Sequence, residues 1–193
     1  MGAEQLMALG QRPARHVHVS SYFLMSADLR AELPNVLSRW RASGVAASID
    51  TSWDPSEEWL VGPVLAEVDV FLPNFAELLA VTGATSAGEA LASPLTRGCD
   101  VVTKRGEAGA VAVVGGDRYT IAALPPPFFG DAIGAGDSFD AGYLAGRLTG
   151  LLALHERAVV VDGLVVSRWS REVFEGMREG GITAANCTVA VWE

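Results

Sequence analysis

Short apolar segments alternate with amphipathic ones over the first 150 residues, and this alternation restricts the possible fold more than any other feature. Apolar runs of strand length occur at residues 16–20, 45–50, 68–72 and 100–104. Between them, residues 27–43 and 75–82 carry apolar side chains at helical spacing and are followed by Gly44 and Gly83. The pattern predicts an α/β fold in which a mostly parallel sheet carries helices on both faces.

Further elements follow the same plan. We expect helices at residues 55–65, 86–95 and 137–148, the second with Ser86 as its N-cap. Residues 110–114 and 118–121 flank a Gly-Gly-Asp turn, which is typical of a β-hairpin. Pro34 falls inside the first helical segment, where it predicts a bend or a later helix start.

Composition restricts the partners more than it identifies them. The 193 residues carry a net charge of −9 and are 50% hydrophobic, so a globular domain is expected. The acidic balance argues against a nucleic-acid or anionic-membrane partner, since both need clustered Lys and Arg. Cys99 and Cys187 show no metal-ligand spacing, and no signal peptide precedes Pro13. A cytoplasmic location is expected.

Gly134-Ala135-Gly136-Asp137 is the first segment that suggests chemistry. Two glycines let the backbone turn tightly into the following helix, so the N–H groups of Ala135, Gly136 and Asp137 can point at one spot. Such a turn suits a phosphoryl group, and the Asp137 carboxylate beside it could accept a proton from an attacking hydroxyl. The alternative is a Gly-rich helix start with Asp137 as its N-cap.

Two further segments lie at predicted strand ends. Asn74 and Glu77 are three residues apart at a helix start, where an amide and a carboxylate can order water around Mg²⁺, or simply form a capping box. In residues 103–109, Gly106 and Gly109 allow close backbone approach, while Thr103 and Arg105 offer a hydroxyl and a cation to phosphates. An ordinary turn is the alternative there.

Taken in order, the three segments resemble the PfkB (ribokinase-like) carbohydrate kinase family. Residues 131–137, Asp-Ala-Ile-Gly-Ala-Gly-Asp, match its carboxy-terminal signature, with Ala132 where the family usually has Thr. Asn74 and Glu77 match its Asn-x-x-Glu motif, and residues 103–109 match its Gly-rich nucleotide segment. The resemblance extends more loosely over residues 16–150.

The resemblance implies an ATP- and Mg²⁺-dependent kinase acting on a sugar or nucleoside. Asp137 would be the catalytic base, and Gly134, Ala135 and Gly136 would complete the anion hole. Asn74 and Glu77 would govern the metal. The residues implied to face the nucleotide are Thr103, Arg105, Gly106, Gly109 and Asp131. A homodimer is an assembly that the resemblance allows.

The chain also departs from the family at both ends of the match. The family's sugar-binding residues and β lid are not found before His16, and the helices that follow the Gly-Ala-Gly-Asp helix are not found after it. We therefore expect residues 1–150 to form a partial kinase domain. Two other segments offer weaker candidates: His16 and His18 as a metal pair, and Asp50 and Asp54 as ligand-facing carboxylates.

Residues 151–193 follow a different pattern. Val161-Asp162-Gly163-Leu164 and the helical segment after Trp169 resemble the amino-terminal start of a renal-dipeptidase-like (M19) metallohydrolase. The segment has no His-x-Asp pair, so dipeptidase activity is not expected. Three hypotheses follow from the sequence: a working kinase, a non-catalytic remnant of a kinase, and a hydrolase-related protein.

Overall fold

The computed structural model describes residues 14–123 and 134–147 in full, and the backbone of residues 159–165 and 182–187. Its strands are β1 (His16–Val19), β2 (Ala46–Ile49), β3 (Val70–Phe71), β4 (Asp100–Lys104), β5 (Ala110–Val114), β6 (Asp117–Ile121), β7 (Val159–Val165) and β8 (Ile182–Cys187). They form one sheet in the order β6-β5-β4-β3-β2-β1-β7-β8. Among the described strands, β4–β5 and β5–β6 pair antiparallel, and the other neighbouring pairs are parallel. The predicted fold class, a mostly parallel α/β sheet, is confirmed.

The helices are α1 (Ala27–Ala42), α2 (Gly62–Leu65), α3 (Phe75–Thr82), α4 (Ala87–Leu91) and α5 (Ala135–Arg147). Helices α1 to α4 pack on one sheet face, where Val17, Ile49 and Phe71 are buried in a common core with side chains of all four helices. Helix α5 packs on the opposite face, where Leu144 lies against Val70, Leu72, Val102 and Ala112. Both faces are therefore covered, as predicted.

Helix α1 shows how local capping decides a boundary. The Ser26 side chain accepts a hydrogen bond from the Leu29 N–H, so the helix begins at Ala27. Pro34 lies inside the helix and does not delay its start. The apolar stripe, Leu29, Leu33, Leu37 and Trp40, is buried against the sheet, and this packing maintains the helix through the proline.

The helix predicted at residues 55–65 is wrong in its first part. Only Gly62–Leu65 is helical. The Asp54 carboxylate instead accepts hydrogen bonds from the backbone N–H groups of Ser56 and Trp59 at 2.9 and 2.8 Å. Glu57 and Trp59 have φ of 56° and 54°, which no α-helix accommodates. The Asp54 side chain thus accepts hydrogen bonds from backbone N–H groups that a helix would use for its own hydrogen bonds.

Other predicted boundaries differ by a few residues. The helix predicted at 86–95 ends at Leu91 because Pro94 opens a separate 3₁₀ turn, Pro94–Thr96. The helix predicted at 137–148 begins at Ala135. The prolines at 125–127, residues 151–158 and the helix predicted at 170–179 lie outside the described residues. In the described part of the chain, no helix is long and apolar enough to span a bilayer.

Candidate functional site

A cleft of about 460 Å³ opens where the carboxyl ends of β2, β3 and β4 meet the amino end of α5. This is the edge at which ligands bind in open α/β sheets. The residues that line it come from all three predicted segments and from the end of β2: Asp50, Ser52, Asn74, Glu77, Lys104, Gly106, Gly109, Ala135, Gly136, Asp137 and Phe139. The fold therefore brings segments more than 80 residues apart into one site.

The turn that opens α5 has the geometry of an anion-binding helix start. Gly134 has φ of 77°, which permits the sharp entry into the helix. The first N–H to find an acceptor inside the helix is that of Ser138, which donates to Gly134 O at 2.9 Å. Among the described residues, the N–H groups of Ala135, Gly136 and Asp137 have no acceptor, and N–H groups in the first turn of a helix are the ones that can bind an anion. We call residues 134–137 the anion turn.

Asp137 lies on the rim of the cleft and is exposed. Partial burial of the carboxyl, with Asp50 nearby, raises its pKa above the ordinary value, although Lys104 opposes the shift. A carboxylate with a raised pKa is a better proton acceptor than an ordinary aspartate. This is the chemistry expected of a general base, and Asp137 lies at the start of α5 beside the first N–H groups of that helix.

Asn74 and Glu77 form the capping box that was the alternative to a metal site. Asn74 Oδ1 accepts from the Glu77 N–H at 2.9 Å, and Glu77 Oε2 accepts from the Asn74 N–H at 2.8 Å. Both residues nevertheless line the cleft. Burial raises the pKa of Glu77 to about 7, with Asp50 adding to the shift and the hydrogen bond from Asn74 opposing it. The cap and a ligand-facing role are therefore compatible.

The segment at 103–109 divides between cleft and core. Gly106 and Gly109 line the cleft, whereas the side chain of Thr103 is fully buried and its Oγ1 has no hydrogen-bond partner among the described residues. The Arg105 guanidinium lies over the Phe75 ring, 5.6 Å from its centroid. Because side chains alternate along β4, Lys104 faces the cleft and Thr103 faces the other side of the sheet. Asp131 lies outside the described residues.

Lys104 and Asp140 are two residues at the cleft that no sequence motif indicated, and Lys104 also pairs with Asp50. Lys104 Nζ lies 2.6 Å from Asp50 Oδ2 and 2.9 Å from Asp140 Oδ1. Two signals in the sequence point to them: Lys104 ends a strand two residues after inward-facing Val102, and Asp140 follows Asp137 by three residues on a helix. Asp50, a weaker candidate, faces the cleft as suggested; Asp54 lines a separate depression beside Tyr22 and Arg30.

The two carboxyl groups that contact Lys104 differ in their pKa values. Burial would raise the pKa of Asp50, but the Lys104 ammonium and hydrogen bonds from Asp140, Lys104 and Ser52 outweigh it and hold that pKa below its usual value. Asp140 is 1% exposed, and burial raises its pKa to about 8 with Asp50 adding to the shift. The two carboxylates nearest Lys104 therefore share one negative charge near neutral pH.

The histidines do not form a metal pair in the described structure. His16 Nε2 and His18 Nδ1 both lie 2.8 Å from Ser48 Oγ, inside the sheet face that carries α5. Burial lowers the pKa of each to about 4. In the described residues, no group of three His, Cys, Asp or Glu side chains has metal-site geometry.

The chain resembles known proteins in sequence and in fold. The sequence profile of the pfkB family carbohydrate kinases matches residues 7–161. An adenosine kinase from Sinorhizobium meliloti superposes with a TM-score of 0.66 at 22% identity, over 80% of this chain and 49% of that chain. Ribokinase from Arabidopsis thaliana, solved with ribose and ATP, gives 0.61 at 20% identity, over 78% and 47%.

A third structure, from E. coli and described as a ribokinase II in complex with ATP and Mg²⁺, gives a TM-score of 0.60 at 23% identity. It is matched over 74% of this chain and 49% of that chain. The chain therefore spans about half the length of the solved structures that it matches.

Proposed function

The chain belongs to the pfkB family of carbohydrate kinases, and we propose that it transfers the γ-phosphoryl group of ATP to a hydroxyl of a sugar or nucleoside. The observation that carries the proposal is the cleft itself. It holds the first backbone N–H groups of a helix beside a carboxylate of raised pKa, together with Asn74, Glu77, Gly106 and Gly109. These are the parts that phosphoryl transfer needs: an anion site, a base and room for phosphates.

The proposed reaction uses Asp137 as the proton acceptor. The acceptor hydroxyl loses its proton to the Asp137 carboxylate while its oxygen forms a bond to the γ-phosphorus. The bond from that phosphorus to the β–γ bridging oxygen breaks, and ADP leaves with the electron pair. Charge on the transferred group would be met by the N–H groups of Ala135, Gly136 and Asp137, with the amino end of α5 adding positive potential.

The arrangement of Asn74 and Glu77 favours contact with Mg²⁺ through water over direct coordination of the ion. Their oxygens already accept hydrogen bonds within the capping box, so contact with a metal through water leaves the box intact. A buried carboxylate whose pKa is raised to about 7 also gains from a nearby cation, because the cation favours its ionised form. When bound, Mg²⁺ would neutralise charge on the phosphates.

The substrate class is proposed from the family and from two structural neighbours. One is an adenosine kinase, and the other was solved with ribose and ATP. Both a sugar and a nucleoside present a primary hydroxyl, so the base and the anion turn serve either one. Ribose, fructose and adenosine are the acceptors to test first.

A second candidate function is a pfkB-family domain that binds nucleotide without turning it over. It needs only the groups that line the described cleft, which are those proposed above for the phosphates and the metal. Positioning of the acceptor supplies much of the rate of a kinase. A domain with the anion turn and few contacts to the acceptor would still bind nucleotide but would not transfer its phosphoryl group.

The test compares Asp137→Asn with the intact chain for ATP consumption and phosphorylated product in the presence of Mg²⁺. We expect turnover to fall by roughly 10²–10⁴-fold, while the Kd for MgATP changes little, because the carboxylate acts on the acceptor hydroxyl. Asp117→Asn is the matched control, since Asp117 lies exposed on the β5–β6 hairpin. Equal turnover in the intact chain and Asp137→Asn would refute the catalytic proposal.

A further inference from the structure

Lys104 is held at three points that belong to three different elements. It is the last residue of β4. Its ammonium contacts Asp50, just beyond the end of β2, and both oxygens of Asp140, in the second turn of α5, at 2.9 and 3.1 Å. Its side chain is only 13% exposed. A lysine bonded to two buried carboxylates has little freedom to move.

The same ammonium lies directly beneath the anion turn. A Cβ built on Gly136 would come within 3.8 Å of Lys104 Nζ, with no other atom described as near. An ammonium has three protons; Asp50 takes one and Asp140 shares another. The cation thus lies within van der Waals contact of the position that a side chain at Gly136 would occupy, on the turn proposed to meet the phosphoryl group.

Helix α5 is attached to β4 at both ends, and only one attachment is near the anion turn. Arg147, the last residue of α5, pairs with Asp100, the first residue of β4. Lys104, the last residue of β4, pairs with Asp140 near the start of α5. Leu144 packs on the sheet between them. The distal pair is the more exposed of the two, and exposed pairs contribute little.

We propose that Lys104 is a positioning residue that fixes the anion turn over the ends of β2 and β4 and thereby sets the affinity of the site for phosphate. The geometry supports this role because α5 has no other ion pair at its amino end among the described residues. Without the ammonium, Asp50 and Asp140 would face each other and the turn would lose its anchor to β4. The effect on phosphate affinity rests on the proposed kinase function; the anchoring of the turn does not.

Two measurements on Lys104→Met and on Arg147→Gln separate this role from general stabilisation of α5. The first is amide hydrogen exchange in the ligand-free protein, at residues 138–141 and at residues 145–147. The second is the Kd for MgATP by calorimetry. Arg147→Gln is the matched control, because it removes the ion pair at the other end of the same helix.

For Lys104→Met we expect exchange at residues 138–141 to quicken about tenfold, and the Kd for MgATP to rise at least about tenfold. For Arg147→Gln we expect faster exchange confined to residues 145–147 and an unchanged Kd. Lys104→Arg, which keeps a cation and several donors, should recover most of the nucleotide affinity. If Lys104 only stabilised α5, loosening either end of the helix would change the Kd for MgATP to the same extent. The difference expected between Lys104→Met and Arg147→Gln would then be absent.

Each alternative result has a definite meaning. Unchanged exchange at residues 138–141 in Lys104→Met would overturn the anchoring role. A Kd that rises equally in both variants would overturn the role in phosphate affinity. If the intact chain binds no nucleotide while exchange responds as expected, the proposed function fails and the anchoring role is supported.

Lys104→Met could fail to fold, since it leaves two carboxylates without their cation. Lys104→Met/Asp140→Asn also replaces the more deeply buried carboxyl group by an amide, leaving Asp50 with its bond from the Ser52 N–H, at 2.8 Å. This double variant lacks the charged link between β4 and α5 and should show the same quickened exchange. Normal exchange at residues 138–141 in the folded double variant would refute the proposal.

Discussion

Gly109 is a position at which the backbone itself excludes every side chain. It has φ of 81°, and a Cβ there would collide with the carbonyl oxygen of Ile121 and lie 2.7 Å from the N atom of Ala123. These atoms belong to or follow β6, so the turn that lines the cleft is packed directly against the hairpin. The packing of the protein alone therefore requires a glycine here.

We expect Gly109→Ala to lower the free energy of unfolding by more than about 2 kcal/mol, because the variant combines a strained φ with a backbone clash. Urea denaturation measures the effect. Gly142→Ala is the control: its Cβ would meet nothing within 4 Å on α5, so a gain of about 0.5–1 kcal/mol is expected. Equal stability of the two variants would contradict the packing argument.

At this scale the sequence predicts residue types better than residue orientation. Asp137 and the two cleft glycines follow from local motifs, and the structure places them in the cleft. Thr103 and Lys104 are adjacent in the sequence, and only the sheet decides which of the two faces the cleft. The pairing of Lys104 with Asp50, 54 residues away, depends on strand order, which no local pattern contains.

At the scale of elements, the contribution of Glu77, in the capping box of α3, to the free energy of unfolding depends on pH. Burial raises the pKa of Glu77 from 4.5 to about 7. Between these values the native state holds a proton that the unfolded chain has lost. The free energy of unfolding should therefore fall as the pH rises from about 4.5 to 7, and stay lower above that range. The raised pKa of Asp140 acts in the same direction.

Glu77→Gln should remove the Glu77 share of this pH dependence while keeping the cap, because a glutamine oxygen still accepts from the Asn74 N–H. We expect stability at pH 8 relative to pH 5 to improve by at most about 3 kcal/mol. Urea denaturation at both pH values measures it, with Glu107→Gln on the exposed turn beside the cleft as the control. An unaltered pH dependence in Glu77→Gln would show that ionisation of Glu77 does not lower the free energy of unfolding.

The elements also show where local patterns suffice. The sequence predicts α3 and its end at Gly83 correctly, since a capping box, an apolar stripe and a glycine agree. Residues 55–61 have a proline and two glutamates that favour a helix start, yet Asp54 binds the nearby N–H groups and prevents it. That outcome depends on Phe23, Trp53 and Trp59 packing edge to face in the folded protein.

At the scale of the whole molecule, the sheet includes two strands, β7 and β8, that come from residues 151–193. Their resemblance to an M19 hydrolase predicts a separate unit, and that division stays a prediction. The backbone of β7 pairs in parallel with β1, Val17 opposite Val159 and Val19 opposite Val161, and β8 pairs with β7. In this arrangement β1 lies inside the sheet with a strand on each side, and the second segment completes the sheet of the first.

Deleting residues 151–193 distinguishes a sheet-completing segment from a separate unit. The deletion would leave the N–H and C=O groups on one side of β1 unpaired, and an open edge beside buried His16 and Val17 favours pairing with another chain. We expect concentration-dependent self-association in light scattering and a lower urea midpoint than that of the intact chain. Removal of residues 188–193 alone is the control, because it keeps β7 and β8. A monodisperse deletion variant with an unchanged midpoint would instead show that β1 tolerates an open edge, and that residues 151–193 form a unit of their own.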